Sequence, residues 1–222
     1  KDNLDLTTEQ QKLLEDTYKN FVRGGAKLDE AQKAELRKIN EELSLLSLQF
    51  GENVLKETNT FELVIEDSAD LAGLTDASIS AAAEAAKERG YKGTWVFTIQ
   101  KPSMIPFLQY SERRNLREKI FTAYMNQGDN NNEFDNKAIL EKMVILRVKR
   151  SDLLGYDTHA DFVLEENMAK KPANVYDLLN KLWTPALNMA KKEAYELQRM
   201  IFKEGNTFRL KPWDWWYYAE KL

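Results

Sequence analysis

The sequence contains no cysteine, and that one absence removes disulfides, thiolate metal sites and a cysteine nucleophile together. It does not fix the compartment, because a chain without thiols is at home in either redox environment. Histidine occurs once, at His159, so a zinc site would need carboxylates for its remaining ligands, an unusual set. No apolar run approaches the roughly 18–20 residues needed to span a bilayer. The start, Lys1-Asp2-Asn3-Leu4, has no initiator Met and none of the layout of a signal peptide. A basic excess is also missing: the net charge is −4, which argues against a nucleic-acid surface. Neither G-x-x-x-x-G-K-[ST] nor G-x-G-x-x-G occurs, so no phosphate loop is expected, and no G-x-S-x-G elbow presents a serine nucleophile.

What remains is a pattern of helices, with enough chain in 222 residues to bury a substantial core. Thr7 and Gln10 form a capping box that opens a helix through Leu13, Leu14, Tyr18, Phe21 and Val22, ended by Gly24-Gly25. Asp29 caps a long helix whose apolar residues Leu36, Ile39, Leu43, Leu46, Phe50 and Val54 recur at helical spacing, giving one buried stripe. A helical hairpin over residues 1–60 is the simplest arrangement; a coiled-coil partner is the lesser alternative, because the stripe is short. The period then changes to that of strands at Phe61–Glu66 and Thr94–Ile99, which bracket an Ala-rich helix from Asp76 to Arg89. Pro102 and Pro106 predict extended chain after the second strand. Residues 61–110 thus read as a strand–helix–strand element.

Residues 111–222 read as a helical bundle. Ser111 is expected to cap a helix with an inner face of Leu116, Ile120, Phe121, Tyr124 and Met125. Another runs from Asp135 or Asn136 through Ile139, Leu140, Met143, Leu146, Val148 and Leu153 to Gly155. Thr158 and Asp161 form a further capping box. Pro172 starts the last long helix, with a core stripe of Val175, Leu178, Leu179, Leu182, Trp183, Leu187, Ala190, Tyr195, Leu197 and Ile201 and a kink expected at Pro185. The fold class is therefore mainly α, a multi-helix body with a small antiparallel β-ribbon. Pro212 opens a final helix holding Trp213, Trp215, Trp216, Tyr217 and Tyr218. Each ring of that helix brings roughly 150–250 Å² of apolar area to be covered. The chain stops inside this pattern without a C-terminal stop signal, as expected of an excised piece of a longer protein whose next segment covers the rings.

Candidate sites are few. His159, in Asp157-Thr158-His159-Ala160-Asp161, could be a zinc ligand or general base; an exposed first-turn histidine is the plainer reading and the one adopted. Asp129-Asn130-Asn131-Asn132-Glu133-Phe134-Asp135 spaces oxygen side chains as a calcium loop does, but Phe134 and Leu140 stand where such a loop needs Gly and Glu. Glu41 with Glu42, and Glu165 with Glu166, are adjacent on helices and point apart, so neither is an acid–base pair. The aromatic cluster could stack on a ligand, although packing is its expected role. No catalytic, cofactor-binding or metal-binding residue is assigned.

Read together, several runs resemble a known family: Leu43–Asn53, Trp95–Ser111, Glu133–Asn136, Lys149–Tyr156, Met168–Pro172, Leu182–Ala186 and Lys211–Leu222. They are similar to the middle of the thimet-oligopeptidase-like zinc metallopeptidases, in the branch of oligopeptidase A and the bacterial dipeptidyl carboxypeptidases. Pro-Ser-x-x-Pro-Phe-Leu, followed at this distance by Pro-Trp-Asp-Trp, is the most specific feature. Lys171 departs from the pattern, since relatives often carry a capping Ser there. The resemblance implies a larger two-lobed helical fold with a deep channel, and a zinc held by an H-E-x-x-H helix and a later glutamate. None of those ligands falls in these residues. It implies short peptides as substrates, with release of C-terminal dipeptides favoured over internal cleavage, and a scaffold and channel-wall role for this segment, inactive alone. No nucleic-acid or membrane partner is expected, and the bacterial cytoplasm or periplasm is the expected location. The competing reading is a self-contained helical interaction module acting through its C-terminal aromatics, which could also drive self-association.

Overall fold

A computed structural model describes residues 5–222; the N-terminal Lys1–Leu4 lie outside the described residues. In chain order come α1 (Thr8–Arg23), α2 (Glu30–Thr60), strand β1 (Leu63–Ile65), a 3-10 turn (Ser68–Leu71) and α3 (Asp76–Glu88). Strand β2 (Trp95–Phe97), α4 (Lys101–Tyr110), α5 (Arg114–Met125) and α6 (Lys137–Leu153) follow, then α7 (His159–Leu164), α8 (Pro172–Lys203) and α9 (Pro212–Ala219). The mainly α class with one two-stranded antiparallel ribbon is therefore what the chain adopts, with Leu63 opposite Phe97 and Ile65 opposite Trp95. Among the described residues no helix is long and apolar enough to cross a membrane.

The chain forms two compact units. Residues 5–49 and 138–177 make the first. Thr7 caps α1 with Gln10 reaching back, and Asp29 accepts from the Gln32 N–H at the start of α2. Leu36, Ile39 and Leu43 on α2 are buried, as are Ile139, Met143 and Leu146 on α6. The Lys142–Glu42 ion pair and an Arg150–Asn40 hydrogen bond join the two helices. Thr158 caps α7, but Asp161 turns its carboxylate to the Thr158 hydroxyl at 2.6 Å, so only half of the expected capping box forms.

Residues 50–137 and 178–222 make the second unit. Its core joins Leu63 and Ile65 of β1, Phe97 of β2, Ala82 of α3, Met104, Phe107 and Leu108 of α4, and Leu116 and Ile120 of α5. A two-stranded ribbon is marginal in water, and these helices cover it. Gly73 is required where the chain turns toward α4: its φ is +86° and a Cβ would lie 2.2 Å from the Tyr110 carbonyl oxygen.

Four expectations fail here. The segment 101–110 is helical, not extended. Pro102 occupies the first turn, where no N–H is needed, and Pro106 forfeits one hydrogen bond while the helix buries Met104, Phe107 and Leu108. Ser111 does not cap α5; it ends α4, its N–H donating to Phe107 O at 3.0 Å. Met125, Leu140 and Val148, expected inside, are exposed. The largest departure is on α8. Of its expected core stripe only Leu197 and Ile201 are buried, while Leu178, Leu179, Leu182, Trp183 and Tyr195 are each more than half exposed. Periodicity reveals an amphipathic helix, not what lies opposite its apolar face.

Candidate functional site

The aromatic helix α9 packs on α4 and α5, and Tyr217 and Tyr218 are buried with Leu197 and Ile201. At its first turn stands Asp214, fully enclosed. Arg114 grips this carboxylate with Nε at 3.0 Å and Nη2 at 2.9 Å, Arg117 Nη2 adds 3.0 Å, and the Lys211 N–H donates at 3.0 Å. Arg117, itself buried, also donates to the carbonyls of Ser111 (2.6 Å) and Trp213 (3.2 Å), and its guanidinium lies 4.1 Å from the Tyr217 ring centroid. Forked arginine–carboxylate contacts are strong and directional, so this cluster fixes α9 on α5. Farther along, Glu220 accepts from Gln109 (2.8 Å) and the Tyr110 hydroxyl (3.0 Å). The Tyr218 hydroxyl donates to Glu204 at 3.0 Å; burial and that carboxylate hold the phenol well above its usual pKa. Every polar contact here serves packing, and of the α9 rings Trp216 is the one left exposed.

Residues 128–136 form a second constellation in the same unit. Buried Glu57 accepts from the Gly128 N–H, from Asn130 Nδ2 at 2.6 Å and from Asn132 Nδ2 at 2.8 Å. Burial pushes its pKa up, but these donors outweigh burial and hold the carboxyl below the ordinary range. Asn53 and Asn136 pair at 3.0 Å beside it. Gly128, at φ +76°, lies too close to Asn136 for a side chain. The asparagines that resemble calcium ligands in sequence thus donate to a carboxylate instead. A 240 Å³ cavity adjoins them, lined by Glu57, Phe61, Ile99, Asn130, Asn132 and Phe134. Sequence reading missed Glu57, whose partners stand 71 to 75 residues away.

His159 is half-buried, not exposed as expected. Its ring stacks on Phe162, and burial together with Arg147 and Arg150 lowers its pKa below the ordinary 6.5. Two arginines beside the imidazole repel a cation, and no three His, Asp or Glu side chains among the described residues converge as metal ligands do. The described residues offer no ligand set for the zinc that the sequence resemblance implies. Of the paired acids, Glu165 and Glu166 hold Arg23 and Lys19, and Glu42 holds Lys142.

A mainly helical chain with a short antiparallel ribbon and a buried Arg–Asp cluster on its last helix is the frame in which its relatives can be read. The chain belongs to peptidase family M3, whose sequence model matches residues 107–222. Along its whole length it is 33% identical to the dipeptidyl carboxypeptidase of Escherichia coli, covering 33% of that protein. It is 36% identical over 221 residues to oligopeptidase A of Haemophilus influenzae, covering 98% of this chain and 32% of that one. Saccharolysin of Saccharomyces cerevisiae is 26% identical over 217 residues, covering 95% and 29%. The chain spans about a third of the length of these curated relatives.

Proposed function

We propose that these residues form a non-catalytic scaffold and channel-wall segment of a metallopeptidase that hydrolyses short peptides, with release of C-terminal dipeptides as its activity. The observation that carries this reading is end-to-end similarity to relatives named as peptidases and about three times as long. The bare apolar face of α8 supports it, because apolar patches larger than a few hundred Å² (roughly) are seldom left open in a finished soluble protein. On this reading zinc is bound by residues outside the 222, the partners are short unfolded peptides, and the protein works in the cytoplasm or periplasm of a bacterium.

The interaction-module reading has less support, since two rings of its C-terminal aromatic cluster, Tyr217 and Tyr218, are committed to the core. Self-association, if it occurs, has a better platform in α8 than in α9. The test is a cleavage assay with amino-blocked peptides and added zinc. The 222-residue chain is expected to give no turnover, and a longer polypeptide containing it is expected to release dipeptides. Chelator-sensitive turnover by the 222 residues alone would sink the proposal.

A further inference from the structure

In the first unit, three side chains capable of positive charge surround the Phe162 ring. The Arg23 guanidinium lies 4.2 Å from the ring centroid and that of Arg150 5.1 Å, and the His159 imidazole stacks at 6.4 Å. The acids at hand are already taken. Glu165 receives Arg23 at 2.5 Å and the Tyr156 hydroxyl at 2.6 Å; Glu166 receives Lys19 at 2.6 Å. Asp161 is engaged by the Thr158 hydroxyl, and Asp157 is exposed.

Arg147 and Arg150, one turn apart on α6, have no carboxylate within ion-pair distance among the described residues. Arg150 has a single long hydrogen bond, Nη1 to Asn40 Oδ1 at 3.4 Å. Its Nε and the Nδ1 of His159 are both enclosed without any acceptor. Buried donors are nearly always satisfied, and a partly buried guanidinium without a counter-charge is costly. Two orphan nitrogens beside two unneutralised guanidiniums are what an oxyanion site looks like before its anion arrives.

We propose that Arg147, Arg150 and His159 form a binding site for a carboxylate. The Nε and Nη edge of a guanidinium matches the two oxygens of a planar carboxylate, and an imidazolium adds a third charged donor. Burial and guanidinium repulsion lower the proton affinity of His159 and Arg150, and an anion would relieve that field. The inference does not depend on the peptidase reading. The carboxylate belongs either to the C-terminus of a peptide or to an Asp or Glu side chain of a longer polypeptide, and the chemistry is the same.

Because His159 is the only histidine, its ring gives one unambiguous NMR signal set in the 222-residue chain. Titration with sodium acetate is expected to shift that set saturably and to raise its pKa by about one unit. Sodium chloride at equal ionic strength should give only gradual screening. Arg147→Gln and Arg150→Gln should each weaken the saturable response about tenfold or more. Circular dichroism checks the helices, and Arg147→Gln carries the test if Arg150→Gln unfolds. N-acetyl-dialanine and its C-terminal amide separate the sources. A response to the acid and not the amide identifies a peptide terminus; a response to acetate alone identifies a side-chain carboxylate. Equal effects of acetate and chloride, or full retention of the response in a folded Arg147→Gln protein, overturn the proposal.

Discussion

Asp214 shows how much one enclosed charge can decide. Its carboxylate is the acceptor for Arg114, Arg117 and the Lys211 N–H, and Arg117 has no solvent to fall back on. Asp214→Ala leaves that guanidinium buried and uncompensated, a loss of about 3–5 kcal/mol that should appear as a lower urea midpoint. Arg114→Ala should cost less, because Arg114 is partly solvated and Asp214 keeps its second partner. Glu57 makes the complementary case with no cation at all. Its folded pKa lies below the unfolded value of about 4.3, so its contribution is fully present above that pH. That contribution is lost as pH falls through the folded pKa. Glu57→Gln should therefore be less stable than the parent at pH 7 by about 1–3 kcal/mol, with the gap closing in acid. Asp214 was legible as part of a Pro-Trp-Asp-Trp run, but its role was not, because Arg114 and Arg117 lie about a hundred residues earlier. Glu57 was invisible for the same reason: tertiary partners leave no local mark.

Elements were easiest to read where local chemistry decides them. The caps at Thr7, Asp29 and Thr158 and the proline start of α8 follow from backbone groups a few residues apart. Helix α4 was misread because two prolines outweighed burial in the sequence argument, whereas in the fold one forfeited hydrogen bond is offset by three buried side chains. Helix α8 divides into two regimes, and the division predicts its mutational response. Leu197→Ala or Ile201→Ala opens a cavity in the cluster with Tyr217 and Tyr218 and should cost about 2–5 kcal/mol. Leu182→Glu or Trp183→Glu falls on the bare stretch and should stay within about 0.5 kcal/mol in thermal melts of this chain. The same two acidic substitutions should reduce binding of a hydrophobic dye, which reports exposed apolar surface directly.

At the scale of the molecule, similarity to relatives three times as long turns that local difference into a question about the whole protein. A helix apolar on a wide arc is normally an interior helix, and from Leu178 to Met189 α8 leaves Leu178, Leu179, Leu182, Trp183 and Met189 open. If these residues serve as scaffold, the remaining polypeptide packs there, and the energetic sign of a charge on that face depends on chain length. Trp183→Glu, nearly neutral in the 222-residue chain, should then destabilise the longer protein by about 3 kcal/mol or more, since a charge would be buried without a partner. Leu197→Ala should cost the same in both, because its cluster is complete within residues 197–218. Denaturation of the two variants in both lengths gives four numbers. Equal, small effects of Trp183→Glu in both lengths would mean that nothing covers α8, and the scaffold reading would lose its physical support.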